Sequence, residues 1–230
     1  MSLSNRRMSG QQVTQGGKEY VDRTIQGLTP AFVGDPVYTW LLHNYAPSEY
    51  EAKLAHLFSA FFTQAALNEA VFIEIADFSC CGVLIPPEKH IENPWTIPSA
   101  GLFSALWNVG LGPFKRGMLE YPSGVEPHMK KAFRKAELKA HWYVFIMGTA
   151  VDRRRQGHAS RLLVHMQDLA REDGRPIWLE ATTDPSRELY LKHGFELIGD
   201  VVLGKGKVGP DGWPKKDGEG IKIWSMLWRP

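Results

Sequence analysis

Apolar side chains recur at helical spacing through the first third of the chain and predict three helices there. The three are a segment around 21–28, a segment that begins at Asp35-Pro36, and a long segment over 47–67. Two short runs rich in β-branched residues follow at 71–75 and 81–85, and they predict an antiparallel pair of strands.

From residue 141 onward, extended and helical segments alternate. Strands are predicted at 141–151, 177–181, 195–203 and 221–228, and helices at 157–173 and 185–193. The 141–151 strand is apolar on both faces, which is typical of a central strand. The order β-α-β-α-β-β after a helical N-terminal part predicts an α/β fold. We expect a single domain over 17–230, preceded by a mobile polar tail at 1–16.

The middle of the chain and one late segment have less regular patterns. A basic amphipathic helix is predicted around 128–138, and the Gly- and Lys-rich segment 204–220 predicts a long exposed loop. That loop would either stay solvated or fold over a bound substrate. Several aromatic residues between 95 and 145 would either pack in the core or line an acceptor pocket. They are Trp95, Phe103, Trp107, Phe114, Tyr121, Trp142 and Tyr143.

Composition and charge exclude several classes of protein. The hydrophobic fraction of 43% can bury a core, and a net charge of +2 is too small for a dedicated nucleic-acid binder. Cys80 and Cys81 are adjacent and point to opposite faces of a strand, so we expect no disulfide between them. The N-terminal residues lack the apolar core of a signal peptide, and no segment has membrane-spanning length. We therefore expect a soluble, cytoplasmic protein.

The turn RRRQGHA at 153–159 carries the first candidate chemistry. It follows a strand and opens a helix, where unpaired N–H groups and the helix dipole favour an anion. Gly157 would let the backbone approach a phosphate closely, and the three preceding arginines add positive charge. The turn is typical of a phosphate-binding site, although arginine-rich turns are also common on solvated surfaces. Neither GxxxxGK[ST] nor GxGxxG is present.

Two segments together resemble the GNAT family of acetyltransferases. GTAVDRRRQGHASRLL resembles motif A, whose core [QR]-x-x-G-x-[GA] corresponds to Arg154, Gly157 and Ala159. IWLEATTDPSRELYLKHGFELIG resembles motif B, whose LY-x-x-x-GF signature is LYLKHGF here. The segments AFVGDPVYTWLL and IWSMLW are more loosely similar to small-molecule N-acetyltransferases of the puromycin-acetyltransferase type.

The resemblance implies a mixed central sheet with splayed central strands, flanked by helices, and acetyl-CoA as cosubstrate without a metal. It places the pantetheine arm along the 141–151 strand and the pyrophosphate at the RRRQGHA turn. The implied acetyl-CoA contacts are Met147, Gly148, Thr149, Arg154, Arg155, Gln156, Gly157, His158, Ala159, Ser160 and Ser186. Two departures concern the pantetheine contacts: Val151 stands where a proline is common, and Thr183 or Ser186 stands near a missing asparagine.

Two residues are the expected catalytic groups for direct attack of an amine on the thioester. Tyr190, by its place in motif B, is the expected general acid, with a packing role as the alternative. Glu180 lies within an apolar strand that would raise its pKa, so we expect it to act as the general base. The alternative for Glu180 is a structural carboxylate, in which case Glu74 or His141 is the fallback base.

The remaining histidines and the identity of the acceptor complete the expectations. His158, His165 and His193 lack metal-ligand spacing and are expected at the surface. The expected acceptor is a small amine. A protein lysine or N-terminal acetyltransferase is an alternative, and a non-catalytic acyl-CoA-binding module is another. We expect neither nucleic acid nor membrane as a partner, and either a monomer or a homodimer.

Overall fold

The computed structural model describes residues 12–89 and 110–230 of the chain. Within them the strands form a seven-stranded mixed sheet with the order β1-β2-β3-β4-β5-β7-β6. The strands are β1 (Thr14–Gly16), β2 (Val71–Ile75), β3 (Cys80–Ile85), β4 (Trp142–Thr149), β5 (Ile177–Ala181), β6 (Glu196–Leu203) and β7 (Ile221–Trp228).

The described residues also contain seven α-helices. They are α1 (Val21–Ala31), α2 (Pro36–Leu42), α3 (Pro47–Leu67), α4 (Leu111–Lys115), α5 (Tyr121–Ala132), α6 (His158–Asp173) and α7 (Asp184–Lys192). A π-helical segment, Arg116–Glu120, joins α4 to α5. Short 3-10 turns lie at Lys18–Tyr20, Glu137–Lys139 and Val151–Arg153.

The alternation of side chains along the strands produces two hydrophobic clusters. Phe72 and Val83 belong to a cluster that contains the buried hydrophobic residues of α1, α2 and α3. Ile73 and Leu84, their chain neighbours, belong to the cluster that contains the buried residues of α6. The sheet is therefore covered by the N-terminal helices on one face and by α6 on the other, as a period of two predicts.

The splayed pair of central strands is confirmed. β4 and β5 are parallel neighbours, but they pair only at Trp142↔Ile177 and Tyr143↔Trp178. β4 stays paired with β3 as far as Thr149. Among the described residues, the β4 edge that faces β5 has no strand partner from Val144 to Thr149. Apart from the Thr149 carbonyl, which accepts a hydrogen bond from Arg154, the backbone groups of this edge are available to an extended ligand.

The predicted start of α2 is also confirmed. Asp35 is the N-cap: its Oδ1 accepts hydrogen bonds from the N–H groups of Val37 at 2.9 Å and Tyr38 at 3.3 Å. Pro36 occupies the first helical position, where a missing N–H leaves no hydrogen bond unmade.

Three expectations need correction, beginning with the mobile tail predicted over 1–16. Thr14–Gly16 form the edge strand β1, which pairs with β2. Thr14 also donates a hydrogen bond from Oγ1 to Oε1 of Glu74 at 2.5 Å and accepts one from the Tyr20 hydroxyl at 3.1 Å. This pairing covers the otherwise open edge of β2. Residues 1–11 lie outside the described residues.

The helix predicted around 128–138 is displaced. It begins at Tyr121, with Pro122 in its first turn, and ends at Ala132. Phe133 leaves the helix in an extended conformation. Its ring is buried, 4.6 Å from the His141 ring and 5.3 Å from the Trp178 ring between centroids. Burial of this ring decides where the helix ends, and no sequence period reveals it.

The segment 204–220 is not an exposed loop throughout. Val208 is 1% exposed, and Gly212 packs against α2 so closely that an added Cβ would lie 2.2 Å from the carbonyl oxygen of Pro36. The lysines of the segment remain exposed. The segment therefore packs against α2 through Gly212.

The structure describes both cysteines but only some of the aromatic residues considered for an acceptor pocket. Cys80 and Cys81 are free and buried. Trp95, Phe103 and Trp107 lie outside the described residues. Among the described residues, no helix has both the length and the apolar character required to cross a membrane.

Candidate active site

A groove of about 650 Å³ runs between the start of α6, the free edge of β4 and the connection from α1 to α2. It collects most of the residues implied as acetyl-CoA contacts. Those that line it are Met147, Gly148, Thr149, Arg154, Arg155, Gly157, His158, Ala159, Ser160 and Ser186. Gln156 is exposed and is not among the lining residues. One cleft thus unites residues from β4, the RRRQGHA turn and α7.

The N-terminus of α6 is open toward this groove. Gly157 is the N-cap residue, with φ of 81°, and no described side chain caps the helix. A Cβ added at Gly157 would meet nothing within 4 Å. Glycine is therefore required here by the left-handed backbone conformation and not by crowding. Arg155 also has a positive φ, 61°, so the turn carries strain next to the helix start.

The arginines of the turn differ in their contacts. Arg154 donates from Nε to the carbonyl of Thr149 at 3.2 Å and from Nη2 to the carbonyl of Ala31 at 3.1 Å. It therefore ties the end of β4 to the end of α1, in addition to lining the groove. Arg153 and Arg155 are exposed along the same groove.

His158 corrects the prediction of a surface histidine. It is 7% exposed, and its Nδ1 atom is buried without a hydrogen-bond partner in the part of the chain that the structure describes. Burial, followed by the charges of Arg161 and Arg153, lowers the pKa of His158, so the ring is neutral at pH 7. A buried, unpaired ring nitrogen beside an open helix terminus is suited to donate to a phosphate oxygen.

The other two histidines are partly buried rather than fully exposed. His193 Nε2 lies 3.0 Å from Oγ of Ser160, which joins the end of α7 to the first turn of α6. His165 Nε2 lies 2.8 Å from Oε1 of Gln15 in β1. Among the described residues, no three His, Cys, Asp or Glu side chains form a group that could hold a metal ion.

Gly148 and Thr149 hold the free edge of β4 in place. A Cβ at Gly148 would lie 2.7 Å from the Phe32 ring and 3.0 Å from Leu28, so a larger residue would push α1 away from β4. Thr149 Oγ1 donates to Sγ of Cys80 at 3.1 Å. These contacts fix the strand without using the backbone groups of its free edge.

A second, smaller space, which we call the inner cavity, adjoins the groove. Its volume is about 150 Å³, and its walls include Phe32, Phe61, Phe145 and Tyr143. Met147, Thr182 and Tyr190 line both the groove and the inner cavity. The two spaces therefore adjoin along a shared wall.

Tyr190 lies at this junction. It is 6% exposed, and its ring packs against Phe195 with centroids 5.6 Å apart. Burial raises the pKa of Tyr190, and electrostatic interaction with the nearby Cys80 and Glu180 side chains raises it further. The phenol is consequently protonated at neutral pH, in the state that can donate a proton.

Glu180 lies on the inner cavity and is held by three donors. Trp178 Nε1 donates to its Oε1 at 2.5 Å, and the hydroxyls of Tyr143 and Tyr121 donate to its Oε2 at 2.9 and 3.3 Å. Burial raises the pKa of Glu180, and the three donors oppose this shift. The pKa of Glu180 is thus higher than that of an ordinary glutamate. Its two oxygens offer about four lone-pair sites, so the carboxylate can still accept a further hydrogen bond.

Sequence reasoning missed Asp35 as a residue of the site. It lines the groove, and its Oδ2 accepts a hydrogen bond from Oγ1 of Thr182 at 2.7 Å. Burial raises the pKa of Asp35, while Thr182 and the two N–H groups at the start of α2 oppose the shift. The Asp35-Pro36 pair predicted a helix start, but nothing local predicted that this cap would lie in the groove.

Three other residues expected at the site make structural hydrogen bonds. Ser186 lines the groove, but its hydroxyl donates to the Thr183 carbonyl at 2.8 Å within the capping box of α7. Glu74 is 8% exposed and accepts from Thr14 and from the N–H of Phe78, away from the groove and the inner cavity. His141 Nδ1 lies 3.0 Å from the carbonyl of Glu137.

Comparison with known proteins agrees with this architecture. The model of the acetyltransferase (GNAT) family matches residues 127–195, which include the turn, α6, β5 and α7. An uncharacterized N-acetyltransferase of Schizosaccharomyces pombe is 20% identical over 176 residues, covering 76% of this chain and 70% of that protein.

Solved structures with the same fold cover nearly the whole chain. A Corynebacterium glutamicum structure, described as histone acetyltransferase HPA2 and related acetyltransferase, has a TM-score of 0.57 and 21% identity, covering 96% of this chain and 97% of that one. Arylalkylamine N-acetyltransferase 2 of Aedes aegypti has a TM-score of 0.57 and 15% identity, with 95% and 98% covered. A Drosophila melanogaster polyamine N-acetyltransferase has a TM-score of 0.57 and 13% identity, with 96% and 100% covered.

The motif-bearing segment, the splayed β4–β5 pair and the open start of α6 agree with these matches. Residues 127–195 therefore match the acetyltransferase (GNAT) family, and the chain has the fold of the acetyltransferase structures named above.

Proposed function

We propose that this protein transfers the acetyl group of acetyl-CoA to the amine of a small molecule, by direct attack while both are bound. The observation that carries the proposal is the meeting of the groove and the inner cavity at Tyr190. The groove would hold acetyl-CoA and the inner cavity the amine. The neighbouring structures include enzymes described as acting on polyamines and arylalkylamines, which also favours a small amine.

The residues of the groove fit a diphosphate. The start of α6 has no side-chain cap, the space beside Gly157 is open, and the buried Nδ1 of His158 has no partner among the described residues. Each of these features matches an anion held by backbone N–H groups at a helix terminus. Arg153 and Arg155 would add charge-assisted contacts.

The free edge of β4 fits the amide groups of a pantetheine arm. From Val144 to Thr149 its backbone faces β5 without strand pairing among the described residues. An extended ligand with amide groups can bond to such an edge as an added strand does. Met147 and Thr149 lie where this edge reaches the groove.

Glu180 would accept the proton that the amine must lose. When bound, acetyl-CoA supplies a thioester whose carbonyl carbon gains the C–N bond as the C–S bond breaks. Burial raises the pKa of Glu180, which makes its carboxylate a stronger base than that of an exposed glutamate and suits proton removal from an amine. Tyr121, Tyr143 and Trp178 hold the carboxylate on the inner cavity, where the amine would lie.

Tyr190 would donate a proton to the departing sulfur. Tyr190 is the phenol of the shared wall, it is protonated at neutral pH, and it is 6% exposed. Shielding from bulk water strengthens its interaction with a developing thiolate. The raised pKa keeps the phenol protonated, so its O–H can donate a hydrogen bond to the sulfur as the C–S bond breaks.

Asp35 is the competing base. Its pKa is also raised by burial, and it lines the groove. However, its oxygens already accept hydrogen bonds from Val37, Tyr38 and Thr182, and it lies on the groove rather than among the residues that line the inner cavity. Glu180 is therefore the better-placed base for an amine in the inner cavity.

The test combines ligand-linked stability with turnover. Coenzyme A at about 100 times its dissociation constant should stabilise the protein by about 2.7 kcal/mol, measured as a rise in melting temperature. A free-thiol assay with acetyl-CoA should then show turnover with small primary amines and much less with lysine-containing peptides. Preference for peptides would support a protein acetyltransferase. Stabilisation without turnover on either set would support a binding module, and absence of stabilisation would contradict the proposal itself.

A further inference from the structure

The inner cavity has the size and polarity of a site for one apolar ring. Its volume is about 150 Å³, and apolar cavities of about this size bind benzene. Its apolar wall includes Phe32, Val37, Tyr38, Leu41, Phe61 and Phe145. The rings of Phe32 and Tyr38 meet edge to face at 5.4 Å, and those of Phe61 and Phe145 at 5.9 Å. These contacts hold the wall in shape before any acceptor binds.

The inner cavity offers a counter-charge for one ammonium group and none for a second. Among the described residues that line the inner cavity, Glu180 is the sole carboxylate, and none is a lysine, arginine or histidine. A second cation would be removed from water without a counter-charge, and a cation–π contact offsets only part of that loss. A carboxylate on the acceptor would likewise meet no cation there.

Tyr121 and Tyr143 separate the inner cavity from another space, which we call the outer cavity. The outer cavity has a volume of about 400 Å³, and Tyr121, Tyr143 and Glu180 line both. The hydroxyls of both tyrosines converge on Oε2 of Glu180, so the partition is a hydrogen-bonded cluster. Polar side chains line the outer cavity beyond it: Glu88, Lys89, Glu126, Lys139 and His141.

Tyr121 is the member of this partition that can be removed with least damage to the sheet. It is the first residue of α5 and follows the π-helical segment Arg116–Glu120, whereas Tyr143 lies in β4 and pairs with β5. Its hydrogen bond to Glu180, at 3.3 Å, is also the longest of the three.

We infer that the acceptor is a primary monoamine with one apolar ring or an apolar chain of similar bulk, and that Tyr121 sets the limit on its length. The inference rests on the proposed function. The amine lies at Glu180 and the apolar body fills the pocket of aromatic residues. The ring of Tyr121 keeps longer acceptors out of the outer cavity.

The wild-type enzyme provides the first test, through kcat/KM for matched amines. The probes are 2-phenylethylamine, 1,4-diaminobutane, agmatine and 2-(4-biphenylyl)ethylamine. We expect 2-phenylethylamine to exceed the two dications by about 100-fold, because the second cation is buried unpaired. It should exceed the two-ring amine by about 10-fold or more, because the second ring has no space. Dications used as efficiently as 2-phenylethylamine would overturn the inference while leaving amine acetylation intact. Failure of every amine, despite binding of coenzyme A, would instead refute the proposed function.

The second test is a pair of variants at one position. Tyr121→Ala removes the partition, whereas Tyr121→Phe removes only the hydroxyl. We expect the ratio of kcat/KM for the two-ring amine to that for the one-ring amine to rise about 10-fold in Tyr121→Ala and to change little in Tyr121→Phe. Stabilisation by coenzyme A checks that each variant folds, and Tyr121→Leu replaces the alanine variant if that one does not. An equal ratio in all folded variants would show that Tyr121 does not limit acceptor length.

Discussion

Thr182 donates a 2.7 Å hydrogen bond from Oγ1 to Oδ2 of Asp35, and this bond joins the end of β5 to the start of α2. The two residues are 147 positions apart in the chain. Both line the groove, and Thr182 also lines the inner cavity. Because the same Asp35 side chain caps α2, the N-terminal helices and the motif-bearing half of the chain are held together at the site itself.

This relationship predicts unequal losses of stability. Asp35→Ala removes both the helix cap and the acceptor for Thr182, and should lower the free energy of unfolding by about 1–3 kcal/mol. Thr182→Val keeps the cap and removes one hydrogen bond, so about 1 kcal/mol is expected. Urea denaturation of the two variants measures both values. A larger loss in Thr182→Val than in Asp35→Ala would contradict the dual role of Asp35.

Removal of the Glu180 carboxylate should change both the rate and its pH dependence. Glu180→Gln should lower kcat about 10²–10⁴-fold, the usual contribution of a general base. In the wild type, kcat/KM should fall as the pH drops through the pKa of Glu180, because protonation removes the base. Burial raises that pKa above the ordinary value of 4.5, so the fall should begin at a higher pH than for an exposed glutamate. Glu180→Gln should lack this fall of kcat/KM at low pH, which is the acidic limb of the pH profile.

Asp35→Asn is the matched control for the base. Asparagine also caps helices well, so α2 should remain intact. If Glu180 is the base, Asp35→Asn keeps the acidic limb of the pH profile and loses less turnover than Glu180→Gln. The reverse ranking would assign proton removal to Asp35.

Tyr190→Phe should separate binding from turnover. The substitution removes one oxygen and keeps the ring packed against Phe195, so folding and affinity for coenzyme A should be nearly unchanged. Turnover should fall about 10²-fold or more, because the leaving sulfur loses its donor. Calorimetric titration with coenzyme A and the free-thiol assay measure the two effects. Equal turnover in the wild type and variant would limit Tyr190 to a packing role.

Gly157 and Gly174 offer a matched pair at the two ends of α6. Both have a positive φ, 81° and 63°, and an added Cβ would meet nothing within 4 Å at either position. Alanine at either should therefore lower the free energy of unfolding by about 1–2 kcal/mol through the left-handed conformation alone. Only Gly157 lies on the groove, so only Gly157→Ala should also weaken coenzyme A binding, about 10-fold or more. Equal affinities for coenzyme A in the two variants would show that the diphosphate does not bind at this turn.

The sequence alone predicted the elements that have a strong period or a marked end. The 3.6-residue spacing predicted α3 and α6, Gly174 marked the end of α6, and Asp35-Pro36 marked the start of α2. The family resemblance located the motif-bearing segment, and most residues implied as acetyl-CoA contacts line a single groove. The predicted helices and helix ends are confirmed, because helix periods, caps and turn glycines are local properties of the chain, whereas the acetyl-CoA contacts stay predictions.

The tertiary structure alone decided which distant side chains meet. Asp35 reaches Thr182, Tyr121 and Tyr143 reach Glu180, and Phe133 ends α5 by packing on His141 and Trp178. Hydrogen bonds and ring contacts of this kind depend on distances of a few ångströms between elements that are far apart in sequence. A local pattern fixes the face on which a residue lies, but only the packing of the helices on the sheet determines its partner.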